Sequence, residues 1–179
     1  MVEKLKGRVS FESTLNVGTT FLLTIPNETT SNVSFKITDP TNYFMITSKQ
    51  IELVENSWDY VLLNSQETGA TFYKKLFSVD PRLRQLFKGD INTQSQKLIA
   101  MITFAVHKLN NLDEIVADVK TLGLQHKKNL VEIDHYETVG SVLLWTLEKA
   151  LGKEWNEEVK DAWAAVYTTL SKTMIEATK

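Results

Sequence analysis

Hydrophobic and polar residues follow two different repeats along this chain. In its first part, Val9 and Phe11 alternate with polar residues in RVSFES (residues 8–13), and Phe21, Leu23 and Ile25 recur with the same period in FLLTI (residues 21–25). Alternation with a period of two is typical of β-strands. Asn16 and Gly18 lie between the two segments and favour a turn. The pattern therefore predicts a β-hairpin over residues 8–25.

The next segment has no clear hydrophobic period. Residues 27–46 are rich in threonine, asparagine and serine and include Pro40. Such composition between two patterned regions is typical of a loop. We therefore expect a linker of low order here.

From Thr47 onward, apolar residues recur at helical spacing. Thr47 and Gln50 form a capping-box pattern that predicts the start of the first helix, and Asp134 with Glu137 predicts another. The apolar stripes run through Ile51–Leu62, Gly69–Phe77, Leu98–Leu109, Ile115–Leu122, Val139–Ala150 and Val159–Met174. Residues 47–179 are thus predicted to be all-α, with six or seven helices and short links.

One of the three histidines is predicted to face the interior. His126 continues the stripe of Ile115 and Leu122, whereas His107 falls on the opposite side of its helix and His135 in an exposed first turn. An inward histidine is either a satisfied core residue or a ligand. A zinc site is not predicted, because no second ligand shares that face. A cofactor that brings its own ligands needs only one imidazole, as haem does.

Composition excludes several classes of protein. The net charge is −2 with both signs interspersed, which argues against nucleic-acid binding. There is no cysteine, so disulfides and thiolate metal sites are excluded. No apolar run approaches the ~20 residues of a membrane span, and the first residues lack the apolar segment of a signal peptide. We therefore expect a cytoplasmic protein without a membrane or nucleic-acid partner.

Residues 47–179 resemble a globin. The resemblance rests on a series of motifs in the order that globins have them: NSW (56–58), FYKKLF (72–77), DPRLRQLF (80–87), TQSQKL (93–98), LGLQHKKNLV (122–131), YETVGSVLLWTL (136–147) and AWAAVY (162–167). It is strongest to bacterial single-domain globins and the globin part of flavohaemoglobins, followed by neuroglobin-like proteins. It implies a 3-over-3 helical sandwich that binds haem b, iron protoporphyrin IX.

The resemblance also implies roles on the proximal side of the haem. His126 matches the histidine that binds the iron, and Val131 follows it as in the family. Tyr136 matches a proximal tyrosine of flavohaemoglobins.

On the distal side the resemblance concerns five positions. Phe87 matches the phenylalanine that packs on the haem, and Tyr73 matches a distal tyrosine. Gln94 falls at the distal position above the iron, and Leu98 beside the ligand. Lys97 is a candidate for binding a haem propionate. Each residue taken alone also has a simpler interpretation. Tyr73 and Phe87 could be ordinary core aromatic residues, and Gln94 and Lys97 could be solvent-exposed surface residues.

The function implied is reversible binding of O2, and also of CO and NO, for oxygen transport or storage. Because glutamine is a poor iron ligand, Gln94 predicts a five-coordinate ferrous haem, and hydrogen bonds from Tyr73 and Gln94 predict high oxygen affinity. An enzymatic alternative is nitric oxide dioxygenation with a separate reductase. That role also needs a proximal glutamate, for which Glu176 is the only candidate, about two residues out of register.

The first residues carry a second resemblance. Residues 5–26 resemble the end of the ATP-binding domain of a sensor histidine kinase, through Gly7, Gly18, Thr19, Thr20, Phe21 and Pro26. The asparagine and earlier glycine boxes are absent, so no kinase activity is expected. Residues 1–26 are interpreted as a remnant of such a domain, a hairpin or disordered, and they motivate gas sensing as a third function.

Overall fold

The structure, a computed structural model, describes the strand backbone of residues 8–14 and 18–24 and all of residues 46–179. The chain divides into two units, Met1–Met45 and Ile46–Lys179. Nearly all of the predicted linker, residues 27–45, lies outside the described residues.

The first unit contains two antiparallel strands, β1 (Arg8–Thr14) and β2 (Gly18–Thr24). Arg8 pairs with Thr24 and Thr14 with Gly18. An isolated two-stranded hairpin is marginally stable in water. The amino-terminal hairpin therefore stays a prediction and is not counted here as part of the established fold.

The only regular secondary structure within residues 46–179 is helical, with six α-helices, which confirms the prediction of six or seven helices. Its α-helices are α1 (Ser48–Leu62), α2 (Ser65–Val79), α3 (Ile91–His107), α4 (Leu112–Lys128), α5 (Ile133–Leu151) and α6 (Glu157–Glu176). Short 3-10 helices at Pro81–Leu86, Leu109–Asn111 and Gly152–Glu154 turn the chain between them.

Two helix starts test the capping predictions. At α1 the predicted box forms, with the Gln50 backbone N–H donating to Thr47 Oγ1 at 3.2 Å and the Thr47 N–H to Gln50 Oε1 at 2.9 Å. At α5 the prediction of an Asp134 cap is wrong, because the helix begins two residues earlier with Glu132 as its N-cap. There His135 Nδ1 accepts the Glu132 N–H at 3.0 Å, and this ring is half-buried instead of exposed.

A pair of buried tryptophans fixes α1, α3 and α6 together. The Trp58 and Trp163 rings lie 5.6 Å apart, and both are almost fully buried. Trp58 Nε1 donates to Thr103 Oγ1 at 3.0 Å, and Trp163 Nε1 donates to Ser57 Oγ at 2.9 Å. Because each indole N–H has a partner, these large rings are buried without an unsatisfied donor.

Two glycines allow the helices of the site to approach closely. A Cβ on Gly69 would lie 2.7 Å from Ser95 Cβ, where α2 crosses α3. A Cβ on Gly123 would lie 2.4 Å from the Met174 carbonyl oxygen, where α4 crosses α6. α3 thus packs on α2, and α4 packs on α6. Within residues 46–179, α3 and α4 share no extensive interface with each other.

Candidate functional site

His126 lies in the last turn of α4 and is half-buried, as the apolar stripe predicts. Its Nδ1 is 3.0 Å from the Tyr136 hydroxyl at the start of α5. Burial lowers the pKa of His126 and raises that of Tyr136. The imidazole is therefore favoured in its neutral form, which is the form that binds a metal.

The backbone around His126 is firmly held. The Val131 N–H donates to the His126 carbonyl at 3.0 Å and closes the end of α4, with Leu130 at a positive φ of 62°. Lys127 Nζ donates to the Thr178 carbonyl at 2.6 Å and ties this end to the region just after α6. The Tyr167 hydroxyl donates to the Tyr136 carbonyl at 2.6 Å. The ends of α4 and α5 that carry His126 and Tyr136 are thus tied to α6 and to the residues just after it.

The nitrogen that His126 leaves available can bind a metal only if the metal brings further ligands of its own. Among the described residues, no hydrogen-bond partner meets His126 Nε2, because the one side-chain bond of this ring is made by Nδ1. No group of three or more histidine or acidic side chains suitable for a bare ion occurs in that part of the chain either. One available imidazole nitrogen fits the axial position of a haem and does not fit a protein-only metal site.

Tyr73 stands in an aromatic cluster on α2. It is 4% exposed and packs edge-on against Phe72 at 5.2 Å and Phe87 at 5.1 Å, with Phe77 at 5.7 Å. Burial raises the pKa of Tyr73 to about 12, so its hydroxyl keeps its proton at neutral pH. Within residues 46–179 this hydroxyl has no hydrogen-bond partner. It is therefore an available donor in an apolar setting.

Gln94 is engaged elsewhere. Its side-chain Nε2 donates to the Lys88 carbonyl in the loop before α3. Gly89, at a φ of 98°, turns the chain at this point. One of the two amide N–H bonds of Gln94 is thus already used, which sequence reasoning did not foresee.

Leu98 and Lys97, the other two predicted site residues of α3, differ in exposure. Leu98 is half-buried, and Met101 shares its face with Gln94 and Leu98 by helical spacing while being 44% exposed. This face of α3 therefore presents apolar surface that the protein itself leaves partly uncovered. Lys97 is exposed and has no ion pair among the described residues.

A groove that the sequence analysis missed lies beside the site. It has a volume of about 600 Å³ and is bordered by the 3-10 helix Pro81–Leu86 and by the link between α4 and α5. Lys88 and Lys128 line it, the latter two residues after His126. In the sequence, Lys88 lies beside Phe87 and Lys128 close to His126, the two expected haem contacts. Their spacing along the chain could not show that both lysines line one groove.

Comparison with known proteins identifies the class. The sequence profile of the globin family matches residues 70–174, so the chain belongs to the globin family. It is 30% identical over 136 residues to an uncharacterized globin-like protein of Aquifex aeolicus, covering 75% of this chain and 96% of that protein. It is 27% identical to neuroglobin of Tetraodon nigroviridis over 143 residues, covering 72% and 90% of the two chains.

A solved structure agrees on the fold. The hexacoordinated heme protein of an anhydrobiotic tardigrade superimposes with a TM-score of 0.67 at 20% identity, covering 78% of this chain and 97% of that one. The predicted globin fold is confirmed, and the family implies haem binding. These similarities give no support to the kinase resemblance of residues 5–26, which stays a prediction. No helix in the described part of the chain is long and apolar enough to cross a membrane.

Proposed function

We propose that this protein binds haem b through His126 and carries O2 reversibly, with CO and NO as further ligands. The observation that carries the proposal is the partly buried His126 imidazole, whose pKa burial lowers, bonded at Nδ1 and without a partner at Nε2 among the described residues, within a globin fold. Haem, when bound, supplies an iron with one position for a diatomic gas. Transport or storage of oxygen follows from this chemistry.

On the proximal side, Tyr136 would fix the orientation of His126. If Nδ1–H donates to the Tyr136 oxygen, the Nε2 lone pair is left for the iron, and this hydrogen bond sets the plane of the ring. A phenol oxygen is a weaker acceptor than a carboxylate, so His126 keeps the character of a neutral imidazole. This favours reversible binding of a ligand.

On the distal side, Tyr73 would be the main donor to the bound gas. The Tyr73 residue is 4% exposed, and its hydroxyl is protonated and without a partner in residues 46–179. Phe87 and Leu98 would keep water away from it. Gln94 in place of a histidine supports a five-coordinate ferrous haem, in contrast to the hexacoordinated tardigrade protein. High oxygen affinity with slow release is part of the proposal.

Nitric oxide dioxygenation is the second candidate, and the contact between His126 and Tyr136 is the observation that favours it. However, the Tyr136 hydroxyl bonds to no carboxylate in the described part of the chain, and Glu176 is exposed at the end of α6. We therefore rank nitric oxide dioxygenation after reversible oxygen binding, and this activity would need a separate reductase.

Gas sensing, the third candidate, would depend on the kinase-like residues 5–26. A cytoplasmic location remains part of the proposal.

The test is the absorption spectrum of the purified protein reconstituted with haemin, in its ferric, ferrous and oxygenated states. We expect a stoichiometric haem complex with a five-coordinate ferrous spectrum and a stable oxygenated form. His126→Ala should lose most of the pigment on gel filtration because the axial nitrogen is removed. His107→Ala, which changes an exposed histidine of α3, is the matched control. Normal pigment retention by His126→Ala would refute the proposal.

A further inference from the structure

We propose that His135 is an acid-sensitive cap of α5, and that its protonation loosens the contact between Tyr136 and His126. The inference rests on the proposed function where it concerns His126, because it adds a regulation of that same site by pH. The cap itself is a feature of the fold and does not depend on the cofactor.

His135 is the third residue of α5, and its ring reaches back to the residue that caps the helix. The ring nitrogen Nδ1 accepts the backbone N–H of Glu132 at 3.0 Å, and no other partner of this N–H occurs within residues 46–179. Nδ1 can accept only while it carries no proton, so the cap needs the neutral ring. Histidine is the side chain that ordinarily changes charge between about pH 5 and pH 8. The hydrogen bond is therefore made at pH 8 and lost as the pH falls.

The first helix has the same kind of cap without a titrating group. There the Thr47 N–H donates to Gln50 Oε1 at 2.9 Å, and Gln50 is likewise the third residue of its helix. A glutamine at this position is the usual partner in a capping box, and its amide oxygen accepts a hydrogen bond at any pH of interest. An imidazole takes this place at α5, so α5 has a pH-sensitive start and α1 does not.

The cap lies next to the proximal pair. Tyr136 directly follows His135, and its hydroxyl is 3.0 Å from His126 Nδ1. Only residues 129–132 link α4 to α5, so loosening the first turn of α5 changes the position of Tyr136 relative to His126. The Tyr167 hydroxyl still holds the Tyr136 carbonyl. We therefore expect a weaker contact at low pH and not a complete loss.

Charged groups of both signs face the His135 ring. The Asp80 carboxylate, just after α2, interacts electrostatically with it. The charged side chains that line the groove together with His135 are Arg82, Lys88, Lys128 and Glu132. A positive charge in the first turn of a helix also opposes the helix macrodipole. The protonated ring is therefore disfavoured where it caps α5, and the carboxylates of Asp80 and Glu132 are the partners toward which it would turn.

The experiment compares the full-length protein with His135→Gln at pH 8 and pH 5.5. Glutamine can keep the cap, as Gln50 does at α1, but it does not titrate. Between these pH values the urea midpoint of the unchanged protein should fall by about 0.3–0.7 M more than that of His135→Gln, as expected for one hydrogen bond. His135→Ala has no cap at either pH and should show the lower midpoint already at pH 8. His107→Gln, which changes the exposed histidine at the end of α3, should keep the acid response of the unchanged protein.

The effect on the site is measured by resonance Raman spectroscopy of the ferrous protein. The iron–His126 stretching band depends on the hydrogen bond at Nδ1, and Tyr136→Phe marks its position without that bond. At pH 5.5 the band of the unchanged protein should move toward this position, whereas the band of His135→Gln should stay. Between pH 8 and pH 5.5, transfer of haem to excess apomyoglobin should accelerate about two- to fivefold more in the unchanged protein than in His135→Gln.

An acid response of His135→Gln as large as that of the unchanged protein would overturn the cap, and so would a His135→Ala variant with an unaltered urea midpoint at pH 8. A Raman band that moves equally in the unchanged protein and in His135→Gln would overturn the effect on His126. A protein that binds no haem would instead refute the proposed function, and the urea midpoints would still decide whether His135 is the cap.

Discussion

At the scale of single residues, the two predicted distal donors are not equivalent. No side chain or backbone group of residues 46–179 bonds to the Tyr73 hydroxyl, so a bound ligand would not have to displace a protein partner from it. The Gln94 side chain would give up or share its bond to the Lys88 carbonyl. A net hydrogen bond contributes about 0.5–1.5 kcal/mol, so an exchange of one bond for another contributes much less.

This difference predicts unequal effects on oxygen release. Tyr73→Phe should speed dissociation of O2 by about three- to tenfold, because a hydrogen-bond donor without a protein partner is lost while the ring stays. Gln94→Leu should change it by less than about twofold. Stopped-flow replacement of O2 by CO measures both, with Lys97→Gln as a surface control. A larger effect of Gln94→Leu than of Tyr73→Phe would show that the amide turns to the ligand.

The sequence could predict the inward position of His126 but not the hydrogen bond of the Gln94 side chain, for a physical reason. A helical repeat places His126 on the apolar side of α4 from local spacing alone. The side-chain direction of Gln94 depends on a loop carbonyl that Gly89 presents through a positive φ, which residue types do not specify. Lys88 and Lys128 are far apart in sequence, so only the folded chain brings them to one groove.

At the scale of elements, the position of α4 depends on its contact with α6. α4 has few fully buried residues, Ile115 and Gly123, although it carries the proposed iron ligand. Gly123 lies against the Met174 backbone, and Lys127 reaches the Thr178 carbonyl. α4 is therefore the helix of the site whose placement is most sensitive to a single contact.

Gly123→Ala tests this dependence. The added Cβ would meet the Met174 carbonyl oxygen at 2.4 Å, and backbone cannot move aside as a flexible side chain can. We expect a net loss of about 1–3 kcal/mol in the free energy of unfolding, despite the ~1 kcal/mol by which alanine favours a helix.

Urea unfolding measures this loss, and haem transfer should accelerate in parallel because His126 moves with α4. Thr121→Ala, an exposed change on the same helix, should stay within about 0.5 kcal/mol of the unchanged protein. A Gly123→Ala variant as stable as Thr121→Ala would mean that α4 and α6 can separate without penalty.

At the scale of the whole molecule, all the core residues that the structure describes lie in the second unit. The buried members of the core run from Ile51 to Val166, and the helices α1 to α6 supply nearly all of the residues packed around them. The matched family profile and the proposed site also fall within Ile46–Lys179. The sequence signalled this division through its change of hydrophobic period at Thr47, one residue after the second unit begins.

A chain of residues 46–179 preceded by a methionine should therefore fold and bind haem as the full chain does. Every described residue of the hydrophobic core is retained when residues 1–45 are removed, so we expect a change of less than about 3 °C in Tm, which corresponds to about 1 kcal/mol for a domain of this size. The ferrous and oxygenated spectra should be unchanged, because Tyr73, Phe87 and His126 all remain. Thermal unfolding followed at the Soret band measures stability and cofactor retention together. A much larger fall in Tm, or faster haem loss at equal Tm, would assign residues 1–45 a structural role in the globin unit that its own core does not require.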